Sequence, residues 1–475
     1  MLVQEEKAVD LPIIEAITLQ QNHFTRKKTI HDIWGVPVAM LTQVPAVYVH
    51  HAVNCLRNGR YLSVDKRNEA LKKAGAFFTD GNLCELTAVD YVTKVVAVTG
   101  LPRRIVEDTI KNIGHATESA GSLAQLGIPQ GVPEETTLQI VQDGCAQSVR
   151  RGEVLSVIAP GNGPGVHAIW PQAVALGYRV VLRPSEREPY TAQRLIQAMF
   201  EAGLEDYVAM LPSDHSVVDE LIATTDLSVI YGDDTMVSRF SCYSNVLVQG
   251  PGRSKIVIGA DYPRDAALEL IFESAIGLGG TACVCTSSVL VEGDAVAFAH
   301  KFQAYATERL KDEHERHRYL PQLSAERYSW LLEQVALHAD VLVQVPEVFS
   351  EQSGVKQVMP LIMIVDSLEN PLVHLELPIA AVTFAPFSRN DSLDAIAPAL
   401  VVTVASENQS LISHIAQVPA IRNLYIGQVP TVWMRPHVPH DAFIAEFLMT
   451  TRGYRVAYPK PIVSKSLRMN SQREN

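Results

Sequence analysis

Two cysteines one residue apart, Cys283 and Cys285, lie in "GLGGTACVCTSSVLV", residues 277–291. Glycine, threonine and alanine precede them and small residues follow, so the large apolar side chains of a packed core are missing. A thiol in such a loop has two readings. As a thiolate it is a nucleophile for carbonyl chemistry; as a thiol it is a small hydrophobe. A second stretch, "VIAPGNGPGVHAIWP", sets Gly161, Gly163 and Gly165 between a strand-like run and a helix-like one. Glycines let a backbone approach a phosphate closely, with the helix N-terminus facing it; the same run also serves simply to make a turn. The next strand-like run ends in "LRPSE", which places Glu186 where an acidic side chain holds ribose hydroxyls.

These residues need elements to position them, and the texture of the chain supplies strands alternating with helices. The first 120 residues read as helical, with sheet near "IWGVPVAML". "RNEALKKAGAFF" and "PRRIVEDTIKNIGHATESA" repeat apolar positions at three and four. "TLQIVQ" alternates like a strand, and from "EVLSVIAP" onward the alternation is rapid. Helix "HAIWPQAVALG", strand "RVVLRPSE", helix "PYTAQRLIQAMFEAGL", strand "DYVAMLP", helix "SVVDELIATT" and strand "LSVIYGDD" follow, and "NVLVQGPGRSKIVIG" closes the region. That tempo predicts a parallel sheet covered on both faces. A second alternation starts near residue 260 with helix "RDAALELIFESAIG", the cysteine loop, strand "SSVLVEG" and helix "AVAFAHKFQAYATERLKDE". The expected division is a helical region with a nucleotide-binding domain over 1–258, a catalytic domain over 259–430, and a C-terminal helix and arm over 431–475.

Taken together and in order, these motifs resemble the aldehyde dehydrogenase superfamily over roughly residues 60–430. That family has an asparagine and a proline in its first loop, matched by Asn162 and Pro164 in "PGNGP". Its second strand ends in Lys-Pro-Ser-Glu, matched by Arg183, Pro184, Ser185 and Glu186. Its catalytic loop, Gly-Gln-x-Cys-x-Ala, aligns with Gly280 to Cys285, and its later glutamate with Glu376 in "HLELPIAAV". The resemblance implies that Cys283 is the nucleophile and Cys285 a packing residue. It implies an oxyanion site from the Asn162 amide and the Cys283 backbone N–H. It also implies a cofactor site drawing on Gly161, Gly163, Arg183, Ser185, Glu186, Gly232, Asp233 and Glu376.

Two departures refine the resemblance. Where the family carries Glu-Leu-Gly-Gly-Lys, with the glutamate activating water, this chain has "QGPGR" and Gln249. An amide takes no proton from water at neutral pH, so a thioester on Cys283 hydrolyses slowly. Where oxidising members carry Gly-Ser-Thr-Glu, this chain has "GDDT" from Gly232. With "YIGQVPT" and "RGYR", this looks like the acyl-CoA and fatty-acyl reductase branch, which includes the acyl reductases of bacterial bioluminescence. The resemblance then implies reduction of an activated acid (CoA thioester, carrier thioester or adenylate) to an aldehyde. An acyl-activating ligase or carrier is an implied partner, and a homodimer the implied assembly. Two alternatives stand beside it: an aldehyde dehydrogenase working oxidatively, and a non-redox cysteine acyltransferase or thioesterase. Glu186 favours NADH, Arg183 can take a 2′-phosphate, and the branch leans toward NADPH.

The bulk composition agrees with an enzyme and narrows its partners. At 475 residues the chain exceeds one compact core, and its net charge of −12 argues against nucleic acid or an anionic membrane surface. No apolar run reaches the ~18 residues of a spanning helix, the acidic N-terminus lacks a signal-like apolar stretch, and six irregularly spaced cysteines suit a reducing compartment. The expected location is the cytoplasm. "DEHERHRY" carries His314, Glu315 and His317 without the spacing of a zinc helix. It reads as a solvated helix end, and His437, His440 and Asp441 in "RPHVPHD" read as loop residues. His167 reads as a helix-start residue with packing or phosphate contact equally open, and Asp233 and Asp234 as helix-capping or cofactor groups.

Overall fold

The computed structural model describes residues 11–20, 22–129, 143–344, 347–352 and 354–457. The strand expected over "TLQIVQ" and the polar end "SQREN" lie outside the described residues. Two parallel sheets carry the fold, as the alternation of strand and helix requires.

The first sheet has five strands in the order Val208–Met210, Arg179–Arg183, Val154–Ile158, Leu227–Tyr231, Val246–Gln249. Every neighbouring pair is parallel. Val154–Ile158 and Arg179–Arg183 are buried at all five positions, which is why they read as continuous apolar runs instead of alternating ones. Strand order reverses between Val154–Ile158 and Leu227–Tyr231, and a crevice beyond the C-terminal ends of such strands is where open parallel sheets bind ligands. The Gly161–Gly165 loop leaves one of these strands and Gly232–Asp234 leaves the other.

Two expectations are corrected here. "HAIWPQAVALG" is not one helix but a 3₁₀ turn, Pro164–Ala168, followed by a short helix, Pro171–Ala175. Pro171 cannot donate a backbone hydrogen bond and its ring clashes with the preceding turn, so the glycine loop leads into a 3₁₀ turn and not a long helix with a strong dipole. "NVLVQGPGRSKIVIG" does not close one sheet. It splits into Val246–Gln249, the edge of the first sheet, and Ser254–Ile258, a central strand of the second.

The second sheet has seven strands in the order Leu342–Gln344, Leu361–Ile364, Ala381–Phe387, Thr286–Glu292, Ser254–Ile258, Ala399–Ala405, Ile421–Ile426. All pair in parallel except Leu342–Gln344. Helices Arg264–Ile276 and Ala295–Leu310 cover one face, with Phe272, Phe302 and Phe384 buried among them. The N-terminal helices Val64–Asp80 and Arg103–Glu118 pack against each other through glycines. A Cβ on Gly75 would lie 2.5 Å from the Gly114 carbonyl, so neither position tolerates a side chain without separating the helices. The "IWGVPVAML" region contributes Pro37–Thr42 to a three-stranded sheet with Ile13–Ile14 and Lys27–His31.

The C-terminal segment crosses back to the first sheet's side of the molecule. Helix Ile444–Leu448 buries Ile444, Ala445 and Leu448, and strand Met449–Tyr454 pairs antiparallel with Cys145–Arg150. That two-stranded ribbon is largely exposed along Thr450–Tyr454. Among the described residues no helix is long and apolar enough to cross a membrane.

Candidate functional site

The cysteine loop joins the end of helix Arg264–Ile276 to strand Thr286–Glu292. Gly279 and Gly280 turn it with left-handed φ of 71° and 64°. At Gly280 a Cβ would fall 2.2 Å from Ala380 Cα, so only glycine fits. A tight turn, Cys285 N–H to the Ala282 carbonyl at 2.8 Å, then separates the two thiols. Cys285 is buried, whereas Cys283 is half-buried. The carbonyl of Cys283 accepts from Ser254 Oγ at 3.0 Å. A Cβ on Gly252 would lie 1.9 Å from that same oxygen, so the chain three residues past Gln249 abuts the cysteine.

The Cys283 sulfur meets a histidine from the "RPHVPHD" segment. Sγ lies 3.4 Å from Nε2 of His440. Burial pushes the thiol up to about 12, and the charge of Glu376 adds to this. Left alone it is protonated at neutral pH and inert. His440 is pushed down by burial, with Asp441 opposing, so its ring is neutral and able to accept a proton. The two residues are 157 positions apart, and no local spacing rule reaches that far.

Asn162 comes from the other sheet. Its Nδ2 donates to the Thr281 carbonyl at 3.1 Å, two residues before Cys283. Tyr231, at the end of its strand, is raised by burial and by the charges of Cys283 and Asp441. The C-terminal edge of the first sheet therefore meets the start of the Thr286–Glu292 strand. Gly161 packs on the Lys-Pro-Ser-Glu-like segment, since a Cβ there would lie 2.3 Å from Ser185 Oγ. Ser185 Oγ itself accepts from the Arg187 N–H at 3.2 Å. Gly163 is extended, with φ of 168°.

Between the sheets, residues 252–255 form a clamped turn. Arg253 has a left-handed φ of 47°. Its N–H donates to Glu376 Oε2 at 2.7 Å, and its guanidinium reaches Asp234 at 2.6 Å and the His374 carbonyl at 3.0 Å. Burial pushes Glu376 up to about 7. Burial, aided by Arg253, pushes Lys255 down to about 7, with its Nζ 2.9 Å from the Arg253 carbonyl. Gln249 ends its strand here, its carbonyl accepting from Gly232 N–H at 3.1 Å. Asp233 caps helix Asp234–Phe240 through the Thr235 and Met236 N–H groups, both at 3.1 Å. Capping is thus the part Asp233 plays in this structure, and an ion pair with Arg253 the part Asp234 plays.

At the far end of the crevice, Arg26, Lys27, Lys28, Gln43, Glu186 and Asp214 help line a cleft of 550 Å³. Lys28 Nζ sits 2.6 Å from Glu186 Oε2, and Arg26 sits 2.9 Å from Asp214. Glu186 Oε1, and Nε and Nη2 of the buried Arg183, are buried without a hydrogen-bond partner among the described residues. Groups of this kind, beside the Gly161 cradle, fit the hydroxyls or phosphate of a nucleotide's ribose.

The remaining candidates are not brought to the site. His167 is buried and pushed down to about 4 by burial; its Nδ1 accepts from Trp170 Nε1 at 3.1 Å, a packing contact. His314, Glu315 and His317 belong to helix Glu313–Tyr319, where Glu315 pairs with Arg309 at 2.7 Å. Among the described residues no group of His, Cys, Asp and Glu could hold a metal ion.

A model of the aldehyde dehydrogenase family matches residues 35–363. The malonate-semialdehyde dehydrogenase of Lacticaseibacillus casei is 29% identical over 218 residues, covering 44% of this chain and 43% of that one. A Caenorhabditis elegans protein named "Probable methylmalonate-semialdehyde/malonate-semialdehyde dehydrogenase (acylating), mitochondrial" is 27% identical over 159 residues, 30% of each chain. The chain thus spans less than half the length of these relatives. The NAD+ complex structure of an aldehyde dehydrogenase from Bacillus cereus superposes with a TM-score of 0.76 at 13% identity, covering 94% of this chain and 97% of that one.

Proposed function

The chain belongs to the aldehyde dehydrogenase family, and from that premise we propose that it oxidises an aldehyde to a thioester on Cys283 and passes the acyl group to an external thiol. The family membership makes it an NAD(P)-linked oxidoreductase acting on aldehydes. The observation that carries the finer reading is Gln249, an amide three residues before the backbone that touches Cys283. With no carboxylate at that position, the acyl group outlives its encounter with water. The relatives are named as dehydrogenases, one of them acylating, which favours the oxidative direction over the acyl reduction expected from the sequence. They give no support to an acyl-activating ligase as partner. Acyl reduction is the reverse of the same thioester chemistry. For self-association we propose the exposed Met449–Tyr454 ribbon, whose outer edge pairs with no further strand among the described residues.

In this reading the Cys283 sulfur attacks the aldehyde carbon, losing its proton as it does so. Asn162 carries two N–H donors; one holds the Thr281 carbonyl, and the other is left for the developing oxyanion beside the Cys283 N–H. One such donor is worth ~10²–10³ in rate. A bound nicotinamide nucleotide supplies the hydride acceptor. The Gly161–Gly163 loop would lie along its phosphates, Ser185 and Glu186 at the adenosine ribose, and Glu376 at the nicotinamide ribose.

The test is thiol dependence. A panel of short aldehydes with oxidised nucleotide should give a burst of about one reduced nucleotide per site, then slow turnover. Coenzyme A or pantetheine should restore steady turnover, and intact mass should show the acyl group on Cys283 before thiol is added. Steady turnover at the same rate without thiol would overturn the reading.

We infer NADP(H) as the cofactor from the charges lining the cleft. Lys28 neutralises Glu186, which by itself repels a 2′-phosphate, and Arg183 keeps unpartnered donors nearby. Lys28→Ala is expected to weaken NADPH about tenfold relative to NADH, the loss of one charge-assisted contact. Fluorescence titration of both nucleotides checks this; an equal change in both affinities would contradict it.

A further inference from the structure

We propose that His440 is the general base for Cys283, taking the thiol proton as the sulfur attacks. The inference rests on Cys283 being the nucleophile, and it assigns the proton acceptor for that sulfur, a task separate from activating water. Its first support is contact: Nε2 stands 3.4 Å from Sγ, within hydrogen-bonding range for sulfur. Its second is the way the loop is fixed. The His440 carbonyl accepts from Nδ2 of the buried Asn423, an amide that also donates to the Leu400 carbonyl at 3.1 Å. The next residue, Asp441, pairs with Arg422 at 3.1 Å. Two consecutive residues of strand Ile421–Ile426 thus anchor two consecutive residues of the loop. Downstream, Phe443 N–H donates to Glu446 at the start of the next helix. A loop pinned on both sides presents its imidazole in one place, which proton transfer requires.

The titratable groups around the pair come from several elements. Glu376, Cys285 and Asp441 act on Cys283; Asp441 acts on His440; Tyr231 senses both Cys283 and Asp441. Burial holds the thiol high and the imidazole low, so transfer happens as the sulfur attacks and not as a standing ion pair. In acylation the Sγ–H proton passes to Nε2, the sulfur lone pair bonds the aldehyde carbon, and the C=O electrons move to oxygen, giving a thiohemiacetal; re-forming C=O from it would expel the carbon's hydrogen as hydride to a bound oxidised nicotinamide nucleotide and leave the thioester. The imidazolium then loses its proton to solvent. In deacylation the incoming thiol gives up its proton to solvent and its sulfur bonds the acyl carbon. The bond to Cys283 breaks, and its sulfur leaves with the electron pair and recovers a proton from solvent.

The experiment is alkylation of the free enzyme by iodoacetamide, followed at the Cys283 peptide by mass spectrometry across pH. It needs no substrate or cofactor, so it can fail while thiol-dependent turnover stands. The parent should react readily at pH 7 and lose reactivity only as pH falls through an inflection below the ordinary histidine range, where the imidazole becomes protonated. His440→Ala and His440→Gln should react roughly a hundredfold more slowly at pH 7, retaining only the alkaline inflection of the thiol. Unchanged nucleotide binding in either variant shows that the fold is intact. A parent profile with only the alkaline inflection, or a folded His440→Gln that keeps the parent rate at pH 7, would overturn the assignment.

Discussion

Cys283→Ala should lower aldehyde oxidation by at least about 10⁴-fold, the scale on which a covalent nucleophile is lost. The fold and nucleotide binding should survive. The residue is half-buried, and alanine keeps the Cβ and the backbone that packs against Gly252 and Ser254. Cys285→Ala is the matched control. That side chain is 5% exposed and touches no polar partner assigned to the chemistry. Its removal should cost roughly 1 kcal/mol of stability as a small cavity and leave turnover near the parent value. The two variants are distinguished by intact mass after aldehyde and oxidised nucleotide: an acyl adduct on the Cys285 variant and none on the Cys283 variant. A Cys283→Ala protein retaining one hundredth of parental activity would remove the thioester from the mechanism. An inactive Cys285→Ala protein with normal melting would move the nucleophile to the other sulfur.

The cysteine loop was legible because it rests on local order, a glycine turn followed by a strand, whereas the choice between its two sulfurs came from the family resemblance and is what the paired variants test. The sheets were legible too, since "EVLSVIAP" and "RVVLRPSE" are apolar on both faces and only a covered parallel strand suits them. What escaped depends on distance along the chain. His440 meets Cys283 across 157 positions, and Lys28 meets Glu186 across 158. Neither pairing leaves a trace in periodicity or spacing, and a histidine between two prolines reads as an ordinary loop. Pro171 was visible, yet the apolar pattern around it continues on both sides and hides the break it makes. The division at "QGPGRS" was harder still. Two strands of similar composition, separated by four residues, belong to different sheets, and that choice is made by long-range packing.

Restoring the carboxylate tests the other half of the mechanism. Gln249→Glu is nearly isosteric, and it sits where the edge strand Val246–Gln249 ends and the chain turns toward Gly252 and Cys283. The variant should hydrolyse its acyl-enzyme without thiol, raising the slow phase after the burst by about 10²-fold, the low end of general-base catalysis. The gain should fade as pH falls and the new carboxylate takes up a proton. In the presence of thiol, product should divide between thioester and free acid, where the parent gives thioester. Gln249→Ala supplies the control: it removes the amide without adding a base, so hydrolysis should not rise. Glu376 is an existing carboxylate that could make this experiment fail, because burial pushes it up to about 7 and its charge reaches Cys283. Its Oε2 is held by the Arg253 N–H, which keeps it on the clamped turn and away from water at the thioester. If Glu376 already served water, the parent would turn over steadily without thiol and Gln249→Glu would add nothing. A burst followed by stalling in the parent, relieved in the variant, requires the missing base to be the one at position 249.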